Sequence, residues 1–164
     1  MRLPEAADTR ELGRRVAEVL VAGDLVLLTG SLGAGKTVLA QGIGAGLGVR
    51  GPVTSPTFVI ARIHRDGRLP MVHVDAYRLG GVAEIDDLDL DATLSDSVTV
   101  VEWGSGLAER LADDHLEIRL ERGDDGDART GTLVPRGDSW LQRVAALTGR
   151  ESDDGFLAVD GDDE

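Results

Sequence analysis

The sequence predicts a three-layer α/β domain with a mixed, mainly parallel central sheet. Three observations carry this expectation. An apolar run, Leu25-Val26-Leu27-Leu28, leads straight into a glycine-rich loop and then a helical segment, as a buried parallel strand with its crossover does. A second β-branched run, Val98-Thr99-Val100-Val101, ends on an acidic residue, Glu102. Strand-like and helix-like stretches alternate along 164 residues, the length of one ordinary domain.

Taken in order, Asp8 or Thr9 is placed to cap a first helix, with Glu11 three residues after Asp8 as in a capping box. Leu12, Val16, Val19 and Leu20 follow its spacing, and Gly23-Asp24 ends it. Residues 24–29 read as a strand. A helix follows from about Gly35 to Leu47; its Gly42, Gly44 and Gly46 lower helix propensity and allow close packing, and Gly48 stops it. GPVTSPTF, from Gly51, is a rigid two-proline loop. Residues 58–63 and 69–74 read as a hairpin about the charged turn 64–68. Residues 83–94 are acidic and irregular, with a short helix. Residues 98–101 form a strand, 106–112 a helix, and 115–121 with 130–134 a second hairpin across GDDGDA. Residues 139–147 close the domain as a helix.

Residues 1–150 are expected to form that domain. The last fourteen residues, ESDDGFLAVDGDDE, hold seven acids and no Lys or Arg, and account for seven of the thirteen net negative charges. Such a tail is too polar to fold alone and is expected to be disordered, serving solubility or, through Phe156, Leu157 and Val159, short-motif docking. No basic stripe suggests a strong grip on nucleic acid. Absence of cysteine excludes disulfides, thiolate zinc sites and cysteine nucleophiles. No run of about 20 apolar residues and no secretory h-region in MRLPEAADTR point to a cytoplasmic protein.

Gly30-Ser31-Leu32-Gly33-Ala34-Gly35-Lys36-Thr37 satisfies G-x-x-x-x-G-K-[ST] at every fixed position. Between a strand and a helix, its backbone N–H groups and the helix N-terminus can meet phosphate oxygens. Lys36 then reaches the β- and γ-phosphates, and the Thr37 hydroxyl completes Mg²⁺ coordination. These residues and the adjoining Val38 are the expected contacts of a nucleoside triphosphate.

Such a loop needs an acid from a neighbouring strand end. Asp75 follows Met71-Val72-His73-Val74, and Glu102 ends the second run, both where open α/β sheets bind ligands. The two roles, metal ligand and water-positioning group, are open between them. Thr54-Ser55-Pro56-Thr57 sets three hydroxyls on a stiff loop, readable as a γ-phosphate sensor or as a plain turn. Trp103 is either core or a cover for the base. His73, two before Asp75, shares its strand face and is a candidate hydrogen-bond partner of the site. Tyr77 and Arg78 follow the strand end, where arginine meets phosphate or a partner surface. His64 and His115 suggest no metal site.

LLTGSLGAGKT from Leu27, TSPTF from Thr54, H-x-D-x-Y-R at His73 to Arg78 and VEW ending at Trp103 together resemble the TsaE (YjeE) family. These are small P-loop ATPases that support threonylcarbamoyladenosine modification of tRNA. The resemblance runs from the first helix to about Val134. It implies a P-loop α/β fold with a mixed sheet, ATP as substrate, Mg²⁺ at Thr37 and Glu102, and Lys36 on phosphate. It implies Asp75 in hydrolysis, a switch-like loop at Thr54, Ser55 and Thr57, and Trp103 near the nucleotide. Arg129 resembles a late family arginine. The implied partners are a TsaD-like catalytic subunit and a TsaB-like protein, with tRNA met only through them and carbamoyl transfer done elsewhere. The family usually carries Asp where this chain has Ser31. A small-molecule kinase and a non-catalytic, nucleotide-gated interaction module are the alternatives.

Overall fold

Alternation along the strands decides which way this sheet faces. The structure, a computed structural model, describes residues 1–54, 61–76, 94–103, 112–124 and 126–149. Its strands are β1 (Arg2–Leu3), β2 (Leu25–Gly30), β3 (Ala61–His64), β4 (Met71–Asp75), β5 (Val98–Glu102), β6 (His115–Arg122) and β7 (Arg129–Arg136). Its described helices are α1 (Ala6–Ala17), α2 (Lys36–Leu47) and α3 (Asp138–Gly149). Val26 and Leu28 of β2, Val98 and Val100 of β5, and Leu116, Ile118 and Leu120 of β6 enter one core with all three helices. Leu25, Leu27, Val72, Val74 and Val101 point the other way, into a smaller core against which Leu94 and Ala112 pack. Burial on both faces explains why β2 reads as an unbroken apolar run from Leu25 to Leu28.

The sheet order is β1-β7-β6-β2-β5-β4-β3. The four central strands β6, β2, β5 and β4 run parallel, and antiparallel pairings close each side. This is the mixed three-layer α/β arrangement expected. β2 therefore lies centrally, and its carboxyl end opens toward α2.

α2 owes its position to glycine. A Cβ on Gly42 would run into the Arg10 backbone, one on Gly13 into the backbone of Leu39 and Ile43, and one on Gly46 would stand 2.5 Å from the Ala17 Cβ. These glycines let α1 lie against α2 at backbone contact. Gly48 ends α2 in the left-handed region, φ +83°.

Several boundaries move. Helix α1 starts before Asp8, at Ala6: Glu5 is extended, and the Asp8 carboxylate accepts from the Glu5 N–H at 2.8 Å. Asp8 thus occupies the third helical position instead of the cap, and Glu11 pairs with Arg14 at 2.7 Å. β4 begins at Met71 because Pro70 has no N–H to give the ladder. β1 adds a strand to those expected; two residues paired with β7 are too few to show a period. Expected elements at 83–93 and 106–111, part of 58–63, and the tail 151–164 lie outside the described residues.

Candidate nucleotide site

Leaving β2, the chain turns through Gly30, Gly33 and Gly35 at φ +145°, +77° and +101°, conformations that L side chains rarely adopt. At Gly30 a Cβ would also overlap the Leu120 carbonyl. Ala34 is buried beneath the loop, whereas Ser31 and Leu32 are exposed. Gly35 caps α2, so the first free N–H groups of that helix face the loop interior.

Lys36 is only 5% exposed. Its ammonium donates to the carbonyls of Gly30 and Ser31, each at 2.8 Å, and lies 3.7 Å over the Trp103 ring. Burial pulls it below the ordinary lysine range, while Glu102 and Asp75 pull it back up. Trp103 itself holds φ +63°, strained for a bulky residue, with its N–H on the Leu28 carbonyl at 3.2 Å.

The strand ends deliver the acids. Register pairs Asp75 of β4 directly with Glu102 of β5, and both are buried. Thr37 Oγ1 donates to Glu102 Oε1 at 3.0 Å. His73 Nε2 meets the other oxygen, Oε2, at 2.9 Å. Period-two alternation puts His73, Asp75 and Glu102 on the α2 side of the sheet, since Val72, Val74 and Val101 face away.

These groups border a cleft of about 890 Å³. Leu32, Gly33, Gly35, Lys36, Thr37 and Val38 line one side, and Asp75, Glu102 and Trp103 its floor. Arg129 lines it too and donates to the Gly33 carbonyl at 3.1 Å, which ties the β6–β7 turn to the loop. Gly30, Ser31 and Ala34 shape the loop without lining the cleft. Thr54 is exposed, away from the cleft lining; Ser55, Thr57, Tyr77 and Arg78 lie outside the described residues. Glu5, Ala6 and Thr9 of the α1 start, and Asp127, also line the cleft. No local pattern announces Glu5, Ala6 and Thr9, whose approach depends on the glycine contact between α1 and α2, or Asp127, which arrives on the β6–β7 turn.

The donor set suits Mg²⁺ carried in with a nucleotide. A hydroxyl and a carboxylate adjoin at the loop. Among the described residues no group of three or more His, Asp or Glu could hold a metal ion unaided. Mg²⁺ commonly takes one or two protein ligands and completes its shell from phosphates and water.

A central parallel strand, a glycine loop at its carboxyl end and an acid on the adjacent strand define a P-loop nucleotide-binding protein. Within that class the chain belongs to the TsaE family. The family described as "Threonylcarbamoyl adenosine biosynthesis protein TsaE" matches residues 3–130. The tRNA threonylcarbamoyladenosine biosynthesis protein TsaE of Streptomyces coelicolor is 61% identical over 148 residues, covering 85% of this chain and 99% of that one. Its namesake from Mycobacterium tuberculosis is 55% identical over 139 residues, 79% and 83% of the two chains. The crystal structure of Bacillus subtilis YdiB superposes with a TM-score of 0.77 at 29% identity, covering 92% of this chain and 94% of that one.

Proposed function

We propose that this chain is a Mg²⁺-dependent ATPase serving threonylcarbamoyladenosine modification of tRNA. It acts on a TsaD–TsaB-like complex, meets tRNA only through that complex, and does not transfer the carbamoyl group. The observation that carries the reading is the Thr37–Glu102 hydrogen bond at 3.0 Å, at the mouth of the glycine loop with Lys36 alongside.

The loop N–H groups and the start of α2 receive the phosphates. Lys36 exchanges its two carbonyl acceptors for phosphate oxygens, and the arriving negative charge offsets the burial that disfavours its charged form. Mg²⁺, when bound with the triphosphate, neutralises charge on the β- and γ-phosphoryl oxygens. Thr37 and Glu102 are the residues that would hold it. Asp75, the cleft-lining acid next to Glu102, orients the attacking water and takes its proton. Trp103 and Arg129 border the nucleotide. The loop with Thr54, Ser55 and Thr57, and the Tyr77-Arg78 segment, respond to the nucleotide or the partner. Hydrolysis by the chain alone is slow, and the partner completes the site. Location in the cytoplasm belongs to the same reading; among the described residues no helix is long and apolar enough to cross a membrane.

Glu102→Gln tests this against a nucleotide-gated module. The variant should lose ATP hydrolysis by at least about 100-fold, the scale of one well-placed electrostatic group, while still binding nucleotide without metal. Undiminished hydrolysis would remove Glu102 from the mechanism. Support of tRNA modification by a variant that no longer hydrolyses ATP would make nucleotide binding alone the signal.

A further inference from the structure

Glu102 is held from two sides, and only one of them belongs to the phosphate loop. Its Oε1 takes the Thr37 hydroxyl, while its Oε2 meets His73 Nε2 at 2.9 Å. Side chains of His73 and Glu102 are 0% and 3% exposed. The strand register explains how they meet: His73 pairs with Val100, and Asp75 with Glu102, so His73 reaches diagonally along one face to the next pair.

An ionised carboxylate only accepts, so Nε2 carries the proton in this contact. The terminal torsion of a glutamate is broad and nearly two-fold. A hydrogen bond to Oε1 alone would let the carboxylate plane swing about it. With His73 on Oε2, the plane is fixed and Oε1 is the oxygen presented beside Thr37.

We propose that His73 is a positioning residue for the metal site. By fixing the Glu102 carboxylate, it sets the affinity for the divalent cation that accompanies the nucleotide, without touching the nucleotide. This rests on the Mg²⁺-nucleotide reading of the site. The competing view is a buried histidine that merely joins β4 to β5. Stability would then change, but metal affinity would not.

The test compares His73→Gln with His73→Asn. Both place an amide in the same buried position, but only the longer glutamine side chain reaches toward Oε2 as Nε2 does. ADP binding is measured by calorimetry in EDTA, then Mn²⁺ is titrated onto the ADP complex and followed by electron paramagnetic resonance. Melting temperatures report folding. His73→Asn should need about 10–100-fold more Mn²⁺, as lost outer-shell partners of metal ligands do. His73→Gln should stay within about 3-fold of the parent, and both should bind ADP normally in EDTA. Equal Mn²⁺ affinity of the two variants, whether parental or reduced, would overturn the proposal. Parent protein that binds ADP with no coupled Mn²⁺ site would overturn the metal reading beneath it.

Discussion

Replacing Gly42 by alanine should drive α1 and α2 apart and destabilise the protein, although alanine is the better helix former. The added Cβ would stand 2.9 Å from the Arg10 carbonyl carbon and 3.1 Å from its Cα, with the Arg10 carbonyl oxygen closer still. Carbon atoms rest comfortably at about 3.5–4.0 Å. The atoms met are all backbone, so no side chain can swing aside, and the helices must part by roughly 1 Å to clear the carbonyl oxygen. Overpacking of this kind costs about 1–3 kcal/mol, and the upper end applies where a helix has to move. Alanine returns up to about 1 kcal/mol of helix propensity. The net loss is about 2 kcal/mol, which lowers the melting temperature by roughly 4–8 °C in a chain of this length. Circular dichroism at 222 nm measures it. Gly51→Ala is the control, since nothing lies within 4 Å of its added Cβ, and it should stay within about 0.5 kcal/mol of the parent. A Gly42→Ala protein melting at or above the parent would refute the backbone-contact argument. ATP affinity should fall with stability, because α1 brings Glu5, Ala6 and Thr9 to the cleft.

Two further predictions concern the frame around the site. Arg68 donates to the carbonyls of Ala17 at 2.8 Å and Leu20 at 3.3 Å, closing the end of α1; Arg68→Met should lose about 1–2 kcal/mol in urea unfolding, the scale of a charged hydrogen bond with a helix-end contribution. Burial raises the Glu117 carboxyl, but the opposing effects of Arg119, the Thr29 hydroxyl and Arg136 outweigh it and hold the group below its ordinary 4.5. It loses its proton more readily folded than unfolded, so its stabilisation is whole above that value and drains away as pH falls below it. Glu117→Gln should therefore flatten the loss of melting temperature between about pH 5 and pH 3; an unchanged slope would contradict the ion pairing.

The loop was legible because its chemistry is local. Three glycines at fixed spacing, followed by Lys36 and Thr37, state a backbone path and a charge together. β2 was legible because burial on both faces leaves it apolar from Leu25 to Leu28, and β5 because its residues before Glu102 are all β-branched. Glu102 and Asp75 could be nominated from strand ends, but their standing side by side follows from the β4–β5 register, and the Thr37 hydroxyl on Glu102 follows from where α2 begins. His73 was placed on the right face by its two-residue spacing from Asp75, yet its reach to Glu102 depends on how β4 pairs with β5. The glycines of α2 hinted at close packing, and Gly13 on the facing helix completes the contact. Asp8 misled as a cap because the same residue types suit both the cap and the third helical position.

The most direct test of the account is phosphate release from ATP by the purified chain with Mg²⁺, alone and with a TsaD–TsaB-like complex, beside Lys36→Ala. Slow release alone, strong stimulation by the complex, and loss of both in the variant are expected. Release that the complex leaves unchanged, from protein shown to bind ATP, would contradict it and shift attention to Ser31.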